Sequence, residues 1–400
     1  MRPAHRVGYL VAALVVAGAA LGGALYLVTA RRPAASPTTT TLQPTSTSAA
    51  SATTTTTAPA TTACVPTVAT WPAARIASEV LMVIGTFDDL TALTPEAASQ
   101  VGGFVFLGQP AAGSATSIAS GIAGLAAQAS GSGDVEPWFS TDEEGGEVTR
   151  LKTVIGPLPS ARQMASQWTA AQVETAARRQ GEAMRNLGIT MDLAPVLDTA
   201  SPTDPVDAEA SRSFSTTPQI ASADGLAFAE GLEQSGIVPV VKHFPGLGHA
   251  DANTDEGPAT DPPLETLQSH DLIPFEHAFG AALPAVMVSH AMVPGLSGDV
   301  PASLSPATYA YLRTTLGFAG VAMTDSLAAG AVSAAGYSEP QAAVKALAAG
   351  ADLAMVDAAT WQACRTSIAS GLGNGDLQAS ALRSSVRRIL HAKGIATCAA

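Results

Sequence analysis

Eight short apolar runs, separated by alanine-rich stretches of helical character, limit what this 400-residue chain can fold into. They lie near Val80–Ile84, Gly103–Leu107, Trp138–Thr141, Thr190–Leu193, Val238–Lys242, Ala285–Ser289, Val321–Thr324 and Asp352–Val356. Helices are expected between them, among them Ala170–Asn186, Pro218–Gln234 and Pro340–Ala349. Strands alternating with helices build a parallel sheet covered by helices, and eight such units close into a (β/α)8 TIM-type barrel. A doubly wound open sheet gives a similar alternation; the count of eight and the polar residues at most strand ends favour the barrel. The expected folded part is one α/β domain over residues 64–400.

The chain ahead of it reads differently. Met1–Arg6 is short and basic, and Val7–Ala30 then runs without a charge. That is long enough for one bilayer-spanning helix at ~20 residues per span. Residues 1–32 are therefore expected to be a membrane anchor, or a secretory signal cleaved near Val28-Thr29-Ala30. Pro33–Ala63 has no charged residue and is mostly Thr, Ser, Ala and Pro. With too little apolar bulk to pack, it is expected to be an extended, disordered linker. Either fate of residues 1–32 takes the domain out of the cytoplasm, where disulfides are permitted. A barrel's chain enters and leaves on its N-terminal face, so Cys64 and Cys398 are expected to pair, leaving Cys364 as a small buried hydrophobe.

The formal charge is −13, and residues 33–400 carry 16 basic against 33 acidic side chains. That balance argues against nucleic acid or anionic phosphates as partners and is compatible with a neutral sugar. No glycine-rich phosphate loop, zinc spacing, internal repeat or basic stripe is present, so neither cofactor nor metal is expected.

Val238–Gly257 concentrates the chemistry. The β-branched run Val238–Val241, interrupted by Pro239, leads into Lys242 and His243 and then a loop carrying His249, Asp251, Asp255 and Glu256. Pro239 suggests the strand's first residue or a bulge. A buried strand opening into titratable groups is how a barrel builds a site on its C-terminal face. A second such place is Val321–Leu327, where an apolar run delivers Asp325 to the mouth; as a nucleophile it can attack an anomeric carbon, and as a helix N-cap it can start Ser326–Ala334.

Lys242-His243-Phe244-Pro245-Gly246-Leu247-Gly248 resembles the KHFPGHG signature of glycoside hydrolase family 3, in its bacterial β-N-acetylglucosaminidase branch. The likeness extends over roughly Val80 to Lys393 and implies a retaining glycosidase acting on terminal β-linked N-acetylhexosamine. Thr324-Asp325-Ser326-Leu327 is similar to the family segment whose Asp is the nucleophile, which implies that role for Asp325. Asp142 and Arg150 fall in a segment resembling Asp-Xaa-Glu-Gly-Gly-Xaa-Val-Xaa-Arg and inherit sugar-binding roles; Glu143, Glu144 and Glu147 are read as structural or solvated. Ala210-Ser211-Arg212-Ser213-Phe214 resembles the family's Arg-Ser/Ala-Phe segment, which implies that Arg212 joins Lys242 and His243 in binding sugar hydroxyls. Asp198, in Ala194-Pro195-Val196-Leu197-Asp198, is expected to contact substrate or pair with these cations. His290, after the sixth strand, is read as a satisfied structural histidine.

Two departures from the pattern matter. Leu247 replaces the signature's second histidine, and the loop that ends Asp-Ser-His in the family reads Asn253-Thr254-Asp255-Glu256-Gly257. The proton donor that retaining hydrolysis needs must then come from Asp255, Glu256 or His249. Three readings follow: a monomeric, extracytoplasmic β-N-acetylglucosaminidase-like enzyme tethered to the membrane; an impaired barrel that binds cell-wall glycans; or a family 3 β-glucosidase or β-xylosidase.

Overall fold

The computed structural model describes residues 68–132, 135–200, 204 and 211–396. The expected anchor or signal, the linker and the Cys64–Cys398 pair lie outside the described residues. Among the described residues no helix is long and apolar enough to cross a membrane. Cys364 is buried and free.

Eight parallel strands close into a barrel in chain order. They are β1 (Leu81–Thr86), β2 (Gly103–Leu107), β3 (Trp138–Thr141), β4 (Met191–Asp192), β5 (Val238–Phe244), β6 (Ala285–Val288), β7 (Val321–Ser326) and β8 (Leu353–Asp357). Closure is made by β1, which pairs Leu81 with Ala354 of β8 and Met82 with Gly103 of β2. The open-sheet alternative is thereby removed. Strands of such a barrel are buried on both faces, which is why the sequence runs are continuously apolar rather than alternating.

Side-chain alternation still sorts the two faces. Val105 and Leu107 of β2 line the barrel mouth. Phe104 and Phe106 therefore point the other way, where they stack on each other and on Phe139 at ring separations of 5.8–6.2 Å. Helices Ala170–Asn186 and Pro218–Gln234 have the expected bounds. The first is capped by a Thr169–Gln172 capping box, satisfying backbone donors that the first turn leaves free.

Three local expectations change. The fourth strand shortens to two residues, because the chain turns away at Ala194-Pro195 and only Val196 bridges back, to Lys242. Pro239 is the second residue of β5, opposite Asp192, and the register shift falls later, between Val241 and Phe244. Asp325 is no helix N-cap: it lies in β7, and the following helix runs Gly330–Ala334 with Ala329 at its cap position.

Candidate active site

The strand ends surround a cavity of about 800 Å³ at the C-terminal mouth. Asp142, Arg150, Arg212, Lys242, His243, Asp255, Glu256 and Asp325 all line it. Eight of the residues singled out from sequence are thus brought together from loops and strand ends far apart in the chain.

One wall is a charged lattice. Lys242, at the end of β5, is buried, and its Nζ lies 2.7 Å from Asp142 Oδ1 and 2.7 Å from Glu144 Oε1. Arg212 donates to both oxygens of Glu144, Nε to Oε2 and Nη2 to Oε1, each at 2.8 Å. This two-pronged pairing fixes the guanidinium plane. Arg150 Nε stands 3.7 Å from Asp142 Oδ2 and has no hydrogen-bond partner among the described residues. Burial works against the Lys242 charge, but Asp142 and Glu144 outweigh it and raise its pKa. Burial also pushes the Glu144 carboxyl up, and the charges of Arg212 and Lys242 overcome that and hold it well below the usual range.

Glu144 is the residue that sequence reading missed. Sequence reads it, with Glu143 and Glu147, as structural or solvated; in the fold it is buried at the centre of the lattice. The available signal was spacing: Glu143–Gly145 is an extended segment, so Asp142 and Glu144 share one face and Glu143 takes the other. Glu143 accordingly turns into the barrel wall, where it accepts hydrogen bonds from Leu151 N at 3.0 Å and Gln180 Nε2 at 2.9 Å. Burial there pushes its carboxyl up to about 7. Glu144→Gln leaves Arg212 and Lys242 short of their shared counter-charge. Breaking a buried ion pair in this way costs ~3–5 kcal/mol. Chemical denaturation should show that loss, and a variant as stable as the parent would contradict the lattice.

Of the two roles the sequence leaves open for Asp198, substrate contact or pairing with the cations, the geometry is that of pairing. Asp198 is buried outside the cavity lining, behind His243. Its Oδ2 lies 2.7 Å from His243 Nδ1, and its Oδ1 accepts the backbone N–H groups of His243 at 3.1 Å and Leu247 at 2.9 Å. The carboxylate thus holds the proton on Nδ1 and leaves Nε2 facing Arg212 Nη2 at 3.4 Å. Asp198 orients His243 and shapes the loop; it does not touch the cavity.

Asp325 projects from the end of β7, half-buried. Its Oδ1 accepts the Ser326 N–H at 2.7 Å. Burial raises its pKa, but His243, His290, the Ser326 N–H and Lys242 reverse this and leave the carboxyl below its ordinary value. His290 is the satisfied histidine expected: Nδ1 is 2.6 Å from Ser303 Oγ and Nε2 2.7 Å from the Ser326 carbonyl.

The loop without the Asp-Ser-His ending also reaches the cavity. Asp255 is pushed the opposite way from Asp325, upward, first by burial of its carboxyl and then by the negative charge of Asp325. The loop is fastened to the helix that follows β7. Gly330 N–H donates to the Asp255 carbonyl at 2.9 Å, and Ala331 N–H to that of Thr254 at 3.0 Å. Only glycine fits at 330, because a Cβ there would lie 2.5 Å from the Glu256 carbonyl carbon. Glu256 lines the cavity beside Asp255. His249 does not line it, which corrects its place among the donor candidates; its Nδ1 is 2.7 Å from Asp271 Oδ1. Leu247, in place of the second signature histidine, packs in a small apolar cluster with Ala250, Ala259 and Ala291.

Comparison with known proteins places this geometry. Residues 97–392 match the model of the glycosyl hydrolase family 3 N terminal domain. Beta-hexosaminidase LpqI of Mycobacterium tuberculosis is 38% identical over 322 residues, covering 78% of this chain and 81% of that protein. An uncharacterized secreted glycosyl hydrolase of Arthroderma benhamiae is 35% identical over 259 residues, covering 63% and 72%. The structure of a glycoside hydrolase family 3 β-N-acetylglucosaminidase from a Paenibacillus species superposes with a TM-score of 0.73 at 29% identity, covering 82% of this chain and 64% of that one.

Proposed function

This chain belongs to glycosyl hydrolase family 3, and we propose that it is a β-hexosaminidase-type enzyme that releases terminal β-linked N-acetylhexosamine by a two-step retaining mechanism. The observation that carries the mechanism is a pair of carboxyls on one cavity with pKa values driven apart, Asp325 downward and Asp255 upward. Such divergence separates a nucleophile from a proton donor.

In the first step ionised Asp325 attacks the anomeric carbon while Asp255 gives its proton to the leaving glycosidic oxygen. The C–O bond to the aglycone breaks as the C–O bond to Asp325 forms. In the second step Asp255, now ionised, takes a proton from water, whose oxygen attacks the same carbon and frees Asp325. Asp142, Lys242, Arg212, Arg150 and His243 bind sugar hydroxyls from the opposite wall. Because the lattice is already paired, those donors are aimed before substrate arrives.

The hexosaminidase names of its relatives support the N-acetylated sugar over the β-glucosidase reading, and Asp255 on the cavity answers the impaired-barrel reading, which rests on the absent family histidine. An extracytoplasmic location is supported by a relative named as secreted, and the charge-free run Val7–Ala30 supports a tether to the membrane. The test is hydrolysis of 4-nitrophenyl β-N-acetylglucosaminide beside the matching β-glucoside and β-xyloside. Preference for either plain sugar would overturn the sugar assignment, and inertness toward all three would overturn the enzyme.

A further inference from the structure

Outside the cavity, a second cluster of polar side chains is gathered where three segments meet. His249 comes from the loop after β5, Thr199 from the loop after β4, and His270 with Asp271 from the turn that starts helix Leu272–Gly280. Asp271 is buried, and the two histidines are partly open to solvent. His249 Nδ1 is 2.7 Å from Asp271 Oδ1, and His270 Nδ1 is 3.6 Å from Asp271 Oδ2. Thr199 Oγ1 donates to Asp271 Oδ1 at 2.6 Å and lies 3.1 Å from His270 Nδ1. One donor atom from each of His249, His270 and Asp271 lies within 4.8 Å of the others.

From this arrangement we propose that His249, His270 and Asp271 form a site for one divalent transition-metal ion of the Zn²⁺ type, which fastens the root of the loop carrying Asp255. Two imidazole nitrogens and a carboxylate oxygen are a donor set that Zn²⁺ accepts, with a fourth position left to water. Tetrahedral coordination at ~2.0–2.1 Å sets neighbouring donors ~3.3 Å apart. The separations of 2.7 Å to Oδ1 and 3.6 Å to Oδ2 fall on either side of that spacing, and all three donor atoms lie within 4.8 Å of one another. Thr199 bonded to Asp271 is the outer partner that holds a ligating carboxylate in orientation.

A second observation concerns the excess of negative charge around Asp271. Asp261 is 2% exposed, and neither of its oxygens has a hydrogen-bond partner among the described residues. The charged groups acting on it are all carboxylates, Asp198, Asp271 and Asp251. A buried, unpaired carboxylate costs several kcal/mol unless it is neutralised or matched by positive charge. Burial and these charges push the Asp261 carboxyl well above the ordinary carboxylate range, and a divalent ion on Asp271 adds the opposing positive field. Spacing in the sequence carries no zinc signature because the ligands come from different elements, and no more than two are adjacent in the chain.

The site reaches the active site through the backbone. Gly248, beside His249, packs so closely on Thr199 that a Cβ would lie 2.5 Å from its carbonyl oxygen. Thr199 follows Asp198, which orients His243. An ion joining His249 to Asp271 therefore ties the loop of Asp255 to the segment that positions His243.

The test loads the full chain with Zn²⁺ or Co²⁺ and measures retained metal by mass spectrometry after desalting, with visible absorption of the Co²⁺ form. One equivalent per chain is expected, with the d–d bands of a four-coordinate ion. His249→Ala and His270→Ala should each weaken binding by at least about 100-fold, beyond the usual effect of outer partners. Both positions are partly exposed, so folding should survive, and circular dichroism checks that it does. Failure of the parent chain to retain metal would overturn the proposal, as would unchanged binding in both variants. Retention is measured without substrate, so it stands or falls separately from the hydrolase reading.

Discussion

Asp325→Asn is expected to lower turnover by at least about 10³-fold, the scale seen when a nucleophile that works with its partners is removed. The fold should be untouched, because the carboxyl's recorded hydrogen bond comes from the Ser326 N–H and an amide oxygen accepts it equally well. The loss should appear in kcat and kcat/KM together, since the bond to the anomeric carbon forms only on the way to the transition state. A 2-fluoro sugar with a good leaving group should leave one glycosyl unit on the parent chain. Intact mass and peptide mapping should place it on Asp325, and the variant should take up none. Label on another carboxylate would remove Asp325 from the mechanism while leaving the barrel and its sugar wall in place.

The barrel was legible because its signal is local. Each apolar run is long enough to read alone, and eight of them in alternation leave few topologies. Asp325 was legible as a strand-end residue, but its competing role as a helix cap was decided only by where the next helix begins, at Gly330. Glu144 was hidden by its neighbours, since a run of carboxylates reads as a solvated face unless the two-residue period of an extended segment is applied to it. Asp198 was legible only as a choice between substrate contact and pairing with the cations. Its partner His243 is reached only by closing β4 against β5, so pairing across that distance leaves no spacing to read. His249 looked like a donor because it lies in the right loop. The turn at Leu247–His249 sends its side chain away from the mouth and against Asp271.

The identity of the proton donor yields the second large effect. Asp255→Ala should slow substrates with poor leaving groups by ~10²–10⁴-fold, the usual contribution of a positioned general acid. Activated aryl glycosides need little protonation and should form the glycosyl-enzyme at nearly the parent rate. Their turnover then stalls at deglycosylation, where azide can replace the base-activated water and restore it in part. The pH profile follows from the two directions of shift. Asp325 must be ionised, and its pKa lies below the ordinary carboxylate value, so activity falls only when pH drops through that lowered value. Asp255 must be protonated, and burial with the Asp325 charge raises its pKa, so activity is lost as pH climbs through that raised value. Asp255→Ala should therefore abolish the alkaline limb of kcat/KM for aryl glycosides and leave the acid limb in place. Removing the Asp325 charge should also shift Asp255 back toward its ordinary pKa, which carbon-13 titration of the carboxyl in Asp325→Asn can follow. Glu256→Ala is the control, because Glu256 shares the cavity edge. If that variant, rather than Asp255→Ala, separates poor from good leaving groups, the donor is Glu256 and the raised pKa of Asp255 reflects only its burial and the nearby Asp325 charge.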